Sequence, residues 1–132
     1  MKRNLILKTI LDAKAAAGVG NSINIGRYTN KQLTFDTDGG GTAALTVKFQ
    51  TSHQEDAPDF AAAQSVTNQW DYCAVRDRQD NSVIAGDTGI AVSSADDHRQ
   101  VNLEDNGAEW VNAIVSGYSA GSVTVKIRMT NS

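Results

Sequence analysis

Cysteine and proline are almost missing from this chain, which has one of each, Cys73 and Pro58, among 132 residues. A lone thiol excludes an intrachain disulfide and any zinc site built on cysteine. Aromatic residues make up only 6% of the chain, so each one carries weight in any reading of core or site. No run of about 18 apolar residues occurs, and no membrane span is expected. Cationic residues are also short: Lys and Arg number 12 against 15 Asp and Glu, for a net charge of −3. Nucleic-acid binding needs clustered Lys and Arg, so it is not expected. The chain has no Asn-x-Ser/Thr sequon, Gly-x-Ser-x-Gly elbow, phosphate loop or dinucleotide fingerprint.

What is present is alternation. Val123, Val125, Ile127 and Met129 alternate with Thr124, Lys126 and Arg128. A period of two places one row of side chains in a core and the other in water. Leu33 and Phe35 repeat the pattern, as do Leu45, Val47 and Phe49, and Val101 with Leu103. Asp36 to Gly41 lies between two such runs and reads as the glycine-rich loop of a β-hairpin. Residues 51–69 are irregular, with room for one helical turn near Pro58. Trp70 to Asp77 resumes strand character, and brief strands follow at Val83-Ile84 and Ile90-Ala91-Val92. Glu109 to Tyr118 is apolar on both faces, which suits the middle of a sheet or an interface.

The chain is long enough for one domain with a two-layer core. About eight strands at roughly 8–12-residue spacing predict an all-β fold, an antiparallel β-sandwich or jelly roll. Residues 1–20 read as an N-terminal arm and 21–132 as the sandwich. Met1-Lys2-Arg3 followed by Leu5-Ile6-Leu7 imitates a signal peptide, but Lys8, Asp12 and Lys14 interrupt the apolar run. Residues 5–17 suit either an amphipathic helix or an extended segment that joins a sheet. The glycine pair Gly18 and Gly20, a hinge into the first strand, favours the extended form.

Few residues suggest chemistry. Asp36 to Gly41 has the acidic opening of a calcium loop, but the position that needs a bidentate Glu is Val47. His53 with Glu55 and Asp56, and His98 with Asp96 and Asp97, lack the paired-histidine spacing of a metal site. No catalytic residue, metal or cofactor is expected. Trp70 and Tyr72 suit either a sugar-stacking platform or packing, and Trp110 suits packing. Cys73, facing away from Trp70 and Tyr72, reads as a buried thiol.

Several stretches taken together resemble small tailed-phage virion proteins. They are Ala57-Pro58-Asp59-Phe60, Asn68-Gln69-Trp70-Asp71-Tyr72, Gly86-Asp87-Thr88-Gly89, Asp96-Asp97 with Arg99-Gln100, and Ser119 to Lys126. The resemblance spans about residues 22–129. It implies a structural role on the particle, foremost as a capsid decoration (cement) protein made in the host cytoplasm. The implied partners are other copies, as a trimer, and the major capsid protein or another virion protein. The alternatives are a host-surface or glycan-binding module of a tail or fibre, and a self-assembling filament subunit. Strand 109–118 and the arm are the candidate contact regions, with Leu5, Leu7, Ile10, Leu11, Trp110 and Ile114 as interface residues. The leucines and Ile10 are included because the arm has no obvious partner strand.

Overall fold

The computed structural model describes residues 5–105 and 107–131, and within them the regular structure is all strand. Two antiparallel six-stranded sheets form a β-sandwich. The first sheet runs in the order β1 (Leu5–Lys14), β12 (Ser122–Thr130), β4 (Asn30–Asp38), β10 (His98–Leu103), β7 (Val75–Asp77) and β8 (Val83–Ile84). The second runs β2 (Gly18–Val19), β11 (Trp110–Ala120), β5 (Ala44–Ser52) and β6 (Asp71–Cys73). Two short strands complete it: β3 (Ile23–Asn24) extends the β2 edge along β11, and β9 (Ile90–Val92) extends the β6 edge along β5.

The core follows the alternation. Leu33, Phe35, Leu45, Val47, Phe49, Val101, Leu103, Val123, Val125 and Ile127 are all buried. Their polar neighbours in the same strands mostly reach toward the surface, as Thr46 and Lys48 do between the buried Leu45, Val47 and Phe49 of β5. The side-chain period thus marks correctly which residues face inward.

It does not say which sheet a strand joins, and two expectations change on that point. Residues 32–36 and 42–50 do not form a hairpin. β4 pairs with β12 and β10, whereas β5 pairs with β11, β6 and β9. The glycine-rich turn between them crosses from one sheet to the other. Residues 70–77 are likewise not one strand: β6 belongs to the second sheet and β7 to the first, with the crossing at Ala74. A change of sheet at a corner leaves inward and outward positions in phase, so the run looks unbroken.

The third correction concerns the arm. Leu5–Lys14 is a strand of the first sheet, paired with β12 from Leu5↔Thr130 to Lys14↔Val123. Ile10 and Leu11 are each 1% exposed and belong to the core, so they are unavailable to a partner. Gly20 lies where the chain passes against the Ile10 carbonyl, and an added Cβ would collide with that backbone. Residues 1–4 lie outside the described residues.

β1 is the one long edge among the described strands; β8 and β2 are two residues long and β6 three. An open edge invites pairing with another chain, and this one carries two safeguards. Lys8 sits opposite the buried Ile127 and so starts on the inward side, though its chain reaches solvent. The register also shifts twice, between Thr9 and Leu11 and between Leu11 and Lys14.

Because β1 closes the core, Leu11→Ala should lower the unfolding free energy by about 2–5 kcal/mol. Leu7→Ala, on the exposed side, should change it by less than about 0.5 kcal/mol. Chemical denaturation measures both. Equally small effects would mean that residues 5–14 are an appendage.

Candidate interaction surfaces

The residues expected at an interface fall on different parts of the molecule. Leu5 and Leu7 are 53% and 60% exposed on the outer face of the first sheet. Trp110 and Ile114 are half-buried on the outer face of the second sheet, on the opposite side of the sandwich. Their strand is interior to that sheet, as its two-sided apolarity indicates, with β2 and β3 on one side and β5 on the other. Trp110 is tied to its own chain, donating Nε1–H to the Glu55 carbonyl at 3.1 Å.

That contact belongs to an excursion, residues 53–70, which lies across the outer face of the second sheet. Gln50 donates from Nε2 to the Phe60 carbonyl at 3.0 Å, and the Ser52 hydroxyl donates to the Gln69 carbonyl. Asn68 folds the loop on itself, accepting from the Asp59 amide and donating to the Asp59 and Ala63 carbonyls. Trp70 is fixed by an Nε1–H bond to the Ala62 carbonyl at 3.0 Å. Its ring packs edge-on to Tyr72, 5.2 Å between centroids, and is tilted against Phe60 at 6.3 Å. Lys48 Nζ stands 5.0 Å from the centre of the Tyr72 ring. Beside Trp70 opens a cleft of about 300 Å³, also lined by His53, Gln64 and Asp71. An immobilised indole beside amide, imidazole and carboxylate groups is suited to a small polar ring that has one apolar face.

The outer face of the first sheet has a different character. Its outward residues form cross-strand rows set by register: Leu7, Arg128, Gln32, Asn102 and Arg76 in one, and Lys126, Thr34 and Gln100 in the next. Arg76 pairs with Glu104 at 2.8 Å. Arg128 and Arg78 reach only the neutral Gln32 and Asn102 side chains, at 3.5 and 3.4 Å. Among the described residues no carboxylate forms an ion pair with Arg78, Lys126 or Arg128.

At one rim the acidic turn serves the backbone. Both Asp96 oxygens accept amides from the glycine turn, Gly39 at 2.9 Å and Gly41 at 3.0 Å. Asp97 and Asp77 bracket Arg99 at 2.7 and 3.3 Å beside an open polar groove of about 590 Å³. His98 Nδ1 meets Asp36 Oδ1 at 2.8 Å, and this bond raises the His98 pKa above its ordinary 6.5. His53 stands apart from that rim, in the excursion. Among the described residues no three His, Cys, Asp or Glu side chains gather as a metal site. Cys73 is buried, and desolvation pushes its thiol up to about 11, held against by a bond with Thr51.

Sequence reasoning missed the buried polar residues. Asn112, within the run read as apolar on both faces, is buried and fills the break between β2 and β3. Its Oδ1 accepts from the Gly20 and Ala113 amides, and its Nδ2 donates to the Gly20 carbonyl and the Ser22 hydroxyl. Lys31 and Asp105 form a buried ion pair at 2.7 Å. The available signals were Lys31 in the inward row of Leu33 and Phe35, and Asn112 between Trp110 and Ile114 in the outward row of a strand that is otherwise apolar there.

The chain matches no protein-family model and no curated protein. Its fold is similar to the crystal structure of the SPBc2 prophage-derived protein YomS, with a TM-score of 0.66 and 14% sequence identity. The match covers 99% of this chain and 96% of that one. The likeness is one of fold, and it includes the residues read as an arm.

Two outcomes follow from these environments. The Asp36–His98 bond favours the fold below the unfolded histidine value of about 6.5 and fades as pH rises through the higher folded value. In an NMR titration Asp36→Asn should return the His98 pKa toward its ordinary value; an unmoved pKa would exclude Asp36 as the cause. Cys73 should stay unreactive toward a thiol reagent in the native protein and react fully once it is unfolded. Rapid native labelling would show that the thiol is open.

Proposed function

We propose that this chain is a structural protein of a tailed-phage particle, working through contacts between folded surfaces rather than through catalysis. The observation that carries this reading is the fold likeness to a prophage-derived protein over nearly the whole of both chains. The stretches that resemble small virion proteins support it independently. Within that class the preferred role is capsid decoration: copies of the chain, with the trimer as the expected state, bind the major capsid protein and stiffen the shell.

The Trp70 cleft favours a second reading, a module that binds a host-surface glycan. There the fixed indole would stack on the apolar face of a sugar ring while Gln64, His53 and Asp71 meet its hydroxyls. The two readings place the protein differently. Decoration requires many copies on the head, whereas receptor binding requires few copies at the tail.

Cryo-electron microscopy of particles from a host that produces this protein, with mass spectrometry of the same particles, tests the assignment. The expected result is density for a two-sheet domain at repeated positions on the capsid. Density at the tail tip alone would transfer the assignment to the glycan-binding reading. Particles with no trace of the chain would overturn both.

A further inference from the structure

The two broad faces of the sandwich carry unpaired charge of opposite sign. On the outer face of the first sheet, Arg78, Lys126 and Arg128 have no carboxylate partner among the described residues. Short neutral side chains, Gln32, Thr34, Gln100 and Asn102, lie among them at register positions on adjacent strands.

Over the second sheet the reverse holds. The chain has no Lys or Arg between Lys48 and Arg76, and within that interval come Glu55, Asp56, Asp59 and Asp71. All four carboxylate residues are exposed, and none is in an ion pair among the described residues. Lys48, the cation that precedes this interval in the chain, is engaged over the Tyr72 ring. The hydrogen bonds from Gln50 and Trp110 hold the excursion to that outer face, so the acidic surface points away from the basic one.

We infer that copies of this chain stack face to back, the basic outer face of the first sheet on one copy meeting the acidic excursion of the next. The occupant of each face is then a second copy. A contact between two different surfaces is heterologous, and because the surfaces lie on opposite sides it repeats along a line instead of closing on itself. Opposite charge steers the copies into this order and disfavours face-to-face or back-to-back pairs. Magnitude sets the character of the contact. Four strands about 4.8 Å apart, over roughly four residues of 3.3 Å rise, present about 250 Å². Stable complexes bury about 800 Å² per partner. The stacking is therefore weak in dilute solution, sensitive to salt, and effective where copies are held at high local concentration. This inference does not depend on the phage reading.

NMR of the full chain tests it. At low ionic strength, raising the concentration toward about 1 mM should shift amide signals on both surfaces together, around residues 126–128 and around 55–59. Salt at about 0.3 M should remove most of that dependence, since screening then acts within a few ångströms. Shifts on one surface alone would indicate a two-fold contact and overturn the inference, as would no concentration dependence. Charge reversal adds a second readout. Lys126→Glu with Arg128→Glu should abolish self-association, and so should Glu55→Lys with Asp56→Lys, while an equimolar mixture of the two variants restores it. Failure of the mixture to associate would also overturn the inference. If either reversal disturbs the native spectrum, Lys126→Gln with Arg128→Gln should still weaken association severalfold.

Discussion

Nearly everything in this structure depends on the chain passing from one sheet to the other between consecutive strands. β4 leads into β5 and β11 into β12, and each pair lies across the core instead of side by side. Val125 and Val115, or Phe35 and Phe49, belong to strands joined in sequence yet hydrogen-bonded to others. Apolar burial is therefore established between chain neighbours, while every long ladder joins distant segments. The extreme case is β1 with β12, where Leu5 lies opposite Thr130. A topology of this kind folds slowly, because loop closure precedes the contacts that reward it.

The crossings need room, and two of them share it. Gly121 is in the left-handed region with φ of +86°, and a Cβ there would stand 2.9 Å from that of Ala43. Ala43 is fully buried where the β4–β5 turn meets the β11–β12 turn. Asp96, reaching in from a third connection, ties down the Gly39 and Gly41 amides. A larger residue at 43 or 121 would separate the two turns and with them the ends of the core strands. The acidic and glycine residues that imitate a calcium loop are accounted for by this backbone arrangement.

Buried polar groups give the packing its register. Asn112 replaces the ladder bonds lost between β2 and β3, and Gln50 anchors the excursion through the Phe60 carbonyl. Gln50 Oε1 has no hydrogen-bond partner among the described residues, a desolvation cost set against the anchoring of a loop that covers Trp110. Holding the excursion down also concentrates its carboxylates on one side of the molecule. The acidic stretch between Lys48 and Arg76 is already free of cations along the chain, and folding places it on the side of the sandwich away from Arg78, Lys126 and Arg128.

The sequence by itself determined the fold class, the inward row of the long strands other than β1, and the burial of Cys73, because a period of two is a local property that the pleat converts directly into sidedness. It also marked Gly18 and Gly20 as a change of direction, since glycine tolerates the close approach that such a passage requires. Only the tertiary structure decided which sheet each strand joins. It broke residues 70–77 at Ala74, turned the expected hairpin into a crossing, and drew the N-terminal segment in as β1 with Ile10 and Leu11 in the core. It placed Leu5 and Leu7, from the candidate contact in the arm, on the opposite side of the sandwich from Trp110 and Ile114, from the candidate contact in strand 109–118. The reason is physical: alternation records distance from the core, whereas pairing depends on which distant strand offers a free hydrogen-bonding edge, and no residue type encodes that locally.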